Sequence, residues 1–321
     1  MNGFFLHLSI ADWVNSALET FVAQYGDSFH HFSVLVLRYL LVPLEGALRA
    51  APPWLVLLTV GAIAWNATRR IGLGALFMLL LYAIGCFGLW DKLMQTLALM
   101  LVATVLSVAI GVPAGILASR SAWLRRMLLP VLDVMQTLPS FVYLIPVLML
   151  FGLGKVPAIL ATIIYALPPL IRLTDLGIRQ VDPDVTEAAR AFGTTRWQLL
   201  VNVQLPLARP SIMAGINQTT MMALSMVVIA SMIGSRGLGE DVLAGIQTLD
   251  VGKGTQAGLA IVILAIVIDR ISQGFGQERR ARRRLAQQRR QKGASRVPYR
   301  LPRKAQSAGV DSNQATQSSR A

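Results

Sequence analysis

The chain has 321 residues, 54% hydrophobic and only 14% charged, with a formal net charge of +14, three histidines and one cysteine. No soluble domain of this length needs so much apolar residue with so little charge, so the composition places the chain in a membrane. The lone Cys86 lies inside an apolar run, which excludes an intrachain disulfide and a cysteine-based metal site.

Residues 1–31 hold acids and aromatics where a basic leader and a small-residue cleavage site would stand, so the first membrane helix is expected to direct insertion. His7, His30 and His31 all fall here, far from the apolar spans, and no metal site is expected. Phe32–Ala50 mixes Val, Leu and Tyr with Arg38, Glu45 and Arg49 and stops at Pro52-Pro53. That pattern predicts an amphipathic helix lying in the interface or packed on the bundle. Residues 1–50 form one expected segment, outside the membrane or at its surface.

A transmembrane helix needs roughly 17–25 apolar residues. Seven such spans are expected between residues 51 and 275, at Trp54–Ala67, Ile71–Trp90, Leu93–Ala118, Met127–Phe151, Val156–Thr174, Ser211–Gly234 and Thr255–Ser272. The fold class is therefore an all-α integral membrane protein, a polytopic helical bundle. Basic loops at Arg69-Arg70, Arg120–Arg126 and 179–196 alternate with loops at Asp91-Lys92, Lys155 and Glu240–Asp250. The positive-inside rule then sets the N-terminus outside and the C-terminus in the cytoplasm. Trp54, Trp65, Trp90 and Trp123 stand at span ends, where indoles sit at headgroup depth; rings at opposite surfaces cannot form one quaternary-ammonium cage.

Polar groups inside spans face a water path or another helix. Asp133, Gln136, Pro139, Asn217 and Gln218 are the candidate translocation-path residues, with interhelical hydrogen bonding as the plain alternative. Asp133 and Gln136 share a helix face just before Pro139, whose ring frees backbone carbonyls. Asp269-Arg270, near the end of the last span, reads as a local ion pair or a snorkelling arginine.

Between the fifth and sixth spans Asp182 can cap a helix whose first residue is Pro183. Val185, Ala188 or Ala189, and Phe192 give it one shallow apolar face, and Gly193 suits the left-handed position that ends it. Thr195 and Gln198 have capping-box spacing for a second short helix, from Arg196 to about Val203, which Pro206 does not easily continue. The expectation is a compact helix, glycine, helix knuckle with a carboxylate, Glu187, near its start.

From Glu278 to Ala321 thirteen Lys or Arg stand against two acids, with Gln, Ser and Ala between them. This tail, residues 276–321, is expected to be a disordered cytoplasmic segment that touches anionic lipid rather than nucleic acid. Neither Gly-Lys pair, Gly154-Lys155 or Gly252-Lys253, belongs to a phosphate-binding loop, and no Ser, Asp and His hydrolase signature is present. No catalytic residue is assigned, and no cofactor is expected in this chain.

Glu187-Ala188-Ala189, three residues, Gly193, nine residues, Val203, any residue, Leu205-Pro206 resembles the ATPase-coupling motif of ABC importer permeases at every fixed position. Asp133 to Tyr143, Ala166 to Arg172, and Ala214 to Met232 resemble the permease subunit of glycine betaine/proline betaine osmoprotectant importers. The resemblance runs from about Trp54 to Gln273. It implies a type I importer permease fold in the inner membrane and two copies of the permease. It also implies an external substrate-binding protein and a separate ABC ATPase that holds ATP and Mg. Rival readings are a permease for choline or another small zwitterion, and an ion-gradient-driven secondary transporter. The latter would want paired intramembrane acids and inverted repeats, and neither stands out.

Overall fold

The computed structural model describes residues 34–294, with side chains to Phe275, and Trp13, Ser16, Thr20, Gln24 and His31 before them. The remaining N-terminal residues, His7 and His30 included, and residues 295–321 lie outside the described part, and so do the expectations for those two histidines and for the end of the basic tail. The chain divides into two units, Met1–Glu278 and Arg279–Ala321.

Among the described residues every regular element is a helix. In chain order these are α1 (Val34–Ala50), α2 (Pro53–Thr68), α3 (Ile71–Cys86), α4 (Trp90–Arg120), α5 (Ala122–Thr137) and α6 (Ser140–Phe151). After them come α7 (Lys155–Arg179), α8 (Pro183–Ala191), α9 (Arg196–Ser235), α10 (Leu238–Gln247) and α11 (Val251–Ala294). Four of them, α4, α7, α9 and the Val251–Phe275 part of α11, are long and apolar enough to cross a membrane. Two bent pairs, α1 with α2 at 108° and α5 with α6 at 100°, raise the count to six if each is one span, and α3 is a shorter apolar helix.

Of the seven expected spans, Met127–Phe151 differs most. That run is two helices, because Pro139 offers no N–H to the helix before it and holds Leu138 and itself extended, at ψ 134° and 141°. The Tyr143 hydroxyl donates to the Met135 carbonyl across the break, and its ring meets Tyr165 of α7 edge-on at 6.0 Å. The last helix continues to Ala294, so the backbone is helical through the first part of the basic tail.

The centre of the bundle is α7, packed between α4 and α9. Lipid tails are as apolar as leucine, so close packing of small residues, rather than hydrophobicity, selects such neighbours. Gly177 of α7 shows how close they come: a Cβ there would lie 2.6 Å from Ser211 Cβ on α9. The amphipathic α1 packs on the bundle, with Val36 and Leu41 buried and Glu45 only 6% exposed. Glu45 is held by Lys155 Nζ at 2.6 Å, and Arg49 reaches both Glu45 at 3.5 Å and Asp91 at 2.5 Å. One charge network thus ties α1 to the starts of α4 and α7.

Candidate functional site

The knuckle between α7 and α9 is built from local signals. Asp182 Oδ1 accepts the Asp184 N–H at 3.0 Å, Pro183 opens α8, and the Thr186 hydroxyl donates to the Pro183 carbonyl. Gly193 sits at φ 79°, and the Gly193 and Thr194 N–H groups bond to the Arg190 and Ala189 carbonyls. Such a φ is costly for a side chain with a Cβ and free for glycine. Thr195 and Gln198 form a reciprocal capping box, Oγ1 accepting at 3.3 Å and Oε1 at 2.9 Å.

The second helix does not stop at Val203. Leu199–Gln204 winds as a π-helix, with the Leu205 N–H reaching the Leu200 carbonyl, and runs directly into the α-helix that begins at Leu205. The wider turn accommodates Pro206, whose missing N–H and ring would break a regular α-helix at this point. Val203 and Leu205 are half-buried along this turn while Pro206 is exposed, and Leu200 and Ala208 pack on Ile178 of α7. The motif's C-terminal half is therefore the first turns of a spanning helix.

The N-terminal half is a free surface. No residue of α8 is buried; Glu187 and Ala188 are exposed, Ala189 is half-buried and Phe192 is 90% exposed. Arg120, at the end of α4, donates to the Arg196 carbonyl at 2.9 Å and braces the knuckle against the bundle.

The five candidate path residues fall into two separate groups, with no hydrogen bond or ion pair between them among the described residues. Asp133 of α5 pairs with Arg172 of α7, while Gln136 and Pro139 are exposed at the break. Asn217 of α9 accepts from Ser272 and donates to Asp269 of α11 at 3.5 Å, an interhelical clasp; Gln218 is exposed. Asp269 is engaged by Gln273 at 2.8 Å and by Asn217 rather than by Arg270.

Sequence reasoning passed over Arg172 and Asp175. Asp175 is 4% exposed on α7, and Arg125 Nε approaches its Oδ2 at 3.1 Å from α5. Arg172 Nε and Asp175 Oδ1 are buried without partners. The Asp133–Arg172 and Arg125–Asp175 pairs lie three residues apart on α7 and join it to the helix that breaks at Pro139. A charge on an apolar span was the available signal, but its partner stands dozens of positions away. An apolar cavity of about 500 Å³ between α2, α4 and α11 is lined by Leu55, Leu93, Leu264 and Phe275, with Thr and Ser as its only polar side chains. It offers nothing to hold a charged solute.

The family described as binding-protein-dependent transport system inner membrane component matches residues 107–280, a stretch that contains α7, the knuckle and α9. The chain belongs to this family. It is 46% identical over 275 residues to the glycine betaine/proline betaine transport system permease protein ProW of Escherichia coli (strain K12), covering 86% of this chain and 77% of that one. It is 50% identical over 230 residues to the glycine betaine transport system permease protein OpuAB of Bacillus subtilis (strain 168), covering 71% of this chain and 81% of that one. Among solved structures, an inward-facing conformation of the MetNI methionine ABC transporter superposes with a TM-score of 0.52 at 22% identity, covering 57% of this chain and 92% of that one. At that identity the likeness is one of fold, and the fold is that of an ABC importer permease.

Proposed function

We propose that the chain is the membrane-spanning permease subunit of an ATP-driven importer for glycine betaine, proline betaine and similar compatible solutes. The reading is supported by the permeases it resembles and, most directly, by a motif whose first half is displayed on α8 while its second half is wound into α9. A neighbouring protein that grips Glu187, Ala188, Ala189 and Phe192 can pull on a spanning helix through Gly193 and the π turn at Val203–Pro206. The gripping protein is a separate ABC ATPase, which carries the ATP and Mg sites. A second permease copy completes the path, and an external binding protein delivers the solute. The N-terminus lies outside and the knuckle in the cytoplasm. ATP-driven closure of the ATPase pair switches the bundle between two arrangements.

The test is uptake of labelled glycine betaine by cells carrying the whole gene cluster, with and without this chain, while ATP and membrane potential are varied separately. ATP-dependent uptake that needs the chain is expected. Uptake that follows the ion gradient would overturn the coupling, and ATP-dependent uptake of other solutes alone would overturn the substrate.

A further inference from the structure

At the end of the bundle that carries α8, a cavity of about 840 Å³ opens between the ends of α4 and α7 and the knuckle. Four helices each give it one arginine: Arg120 from the last turn of α4, Arg179 from the last turn of α7, Arg190 from α8, and Arg196 from the first turn of α9. No Asp or Glu lines it. Arg179, Arg190 and Arg196 have no carboxylate partner among the described residues. Arg120 spends one N–H on the Arg196 carbonyl, which pins the hollow's shape and leaves its other donors free.

Arginines near helix C-termini ordinarily answer the last carbonyls, and Arg120, Arg179 and Arg190 each stand in a last turn where that role is open to them. Arg196 stands instead in a first turn, where the helix dipole disfavours a cation, and the four together put like charge around one hollow, which is unfavourable until a counter-charge enters. All four are arginine and none is lysine. A guanidinium fork matches phosphate oxygens in pairs, and a tetrahedral phosphate accepts forks from several directions, whereas one carboxylate is satisfied by one. The hydroxyl-bearing Ser119 and Thr194 also line the cavity. Depth supplies the second argument. Trp123 and Trp197, close to Arg120 and Arg196 in sequence, are 65% and 69% exposed, and an exposed indole at the end of a span marks the headgroup level.

We propose that this hollow is a phosphate-binding site, in which Arg120, Arg179, Arg190 and Arg196 hold a phosphate that bridges the ends of α4 and α7 to the knuckle. The phosphate comes from an anionic lipid headgroup or from a soluble phosphate. Because α8 buries nothing of its own, the bridge stiffens the knuckle against the bundle. The site does not depend on which solute the transporter carries.

The full chain, purified in neutral detergent, is titrated with phosphatidylglycerol, phosphatidylcholine or inorganic phosphate and read by native mass spectrometry. Retention of one phosphatidylglycerol about ten-fold tighter than phosphatidylcholine is expected. Arg179→Gln with Arg196→Gln is expected to abolish that preference, while Arg126→Gln with Arg236→Gln, which removes the same charge elsewhere, leaves it intact. Displacement of the lipid by millimolar inorganic phosphate makes the soluble ion the ligand, and failure to displace makes it the headgroup. Arg179→Lys with Arg196→Lys keeps charge without the forks and gives an intermediate loss, which decides the matter if the Gln variant melts early. Equal retention of both lipids together with no binding of inorganic phosphate, or a preference unchanged in the Gln variant, overturns the proposal. A Gln variant that holds phosphatidylglycerol normally but no longer assembles with the ATPase also overturns it, in favour of an acidic protein surface.

Discussion

A Cβ at Gly193 would touch no neighbouring atom, so the cost of a side chain there is backbone strain alone. At φ 79° that strain is about 1–2 kcal/mol for an L-residue, and β-branching at Gly193→Val adds to it. Gly193→Val is expected to abolish most uptake while membrane insertion, read by surface labelling, stays at the wild-type level. Normal uptake by this variant would falsify the role given to the knuckle. Asp175 supports a second prediction. Removing Arg125 strands a carboxylate that is 6% exposed, whereas removing the charge of Asp175 leaves an arginine whose side chain is 35% exposed and reaches water. Arg125→Ala is therefore expected to lose about 3 kcal/mol, near the lower end for a broken buried pair, and Asp175→Asn markedly less; thermal unfolding of the purified protein measures both. The caps at Asp182 and Thr195 were legible in the sequence because donor and acceptor lie within three residues. The partners of Asp133 and Asp175 were not, since each pair joins helices whose meeting no local pattern records.

The same division holds for whole helices. Pro139 announced a disturbance, and the structure makes it a 100° break; the angle depends on how α6 packs on α7, which the proline alone does not specify. Pro206 announced an ending and received a π turn, because the buried Leu199 and Leu200 hold the chain to the bundle through the position where a regular helix would fail. Helix contacts carry their own test. Gly177→Val would drive its side chain into Ser211 and the Ala208 carbonyl, at about 1–3 kcal/mol for overpacking, and is expected to lower the melting temperature. Gly72→Val, where a Cβ meets nothing within 4 Å, serves as its control. For α1, Lys155→Met leaves Glu45 buried and holding only the longer contact to Arg49. Faster hydrogen exchange across residues 34–50 is expected, with a smaller effect from Glu45→Gln, which removes the stranded charge instead of creating one.

At the scale of the molecule, the two ends of α9 separate two environments. At or before its start stand Arg179, Arg190 and Arg196, and after it the acidic α10, whose Asp241 is held by Lys92 at 2.7 Å; the proposed orientation, which follows this charge bias, puts the first end in the cytoplasm. The single native cysteine makes this measurable. In a Cys86→Ser background, Ala191→Cys places a thiol at the exposed end of α8, and Leu249→Cys places one where the side chain is 87% exposed, in the turn between α10 and α11. A membrane-impermeant maleimide added to intact cells is expected to label residue 249 and spare residue 191, and permeabilisation is expected to open residue 191 to reagent. Adding the ATPase to inside-out vesicles should then slow labelling at 191 by about ten-fold or more, because a docked groove excludes reagent from the apolar face it covers, while 249 is unaffected. Labelling of 191 from outside would invert the topology. Protection of neither residue by the ATPase would leave the orientation standing and remove α8 as the surface that is gripped. The two failures have different signatures, so one pair of cysteines separates the question of which way the chain faces from the question of where it is driven.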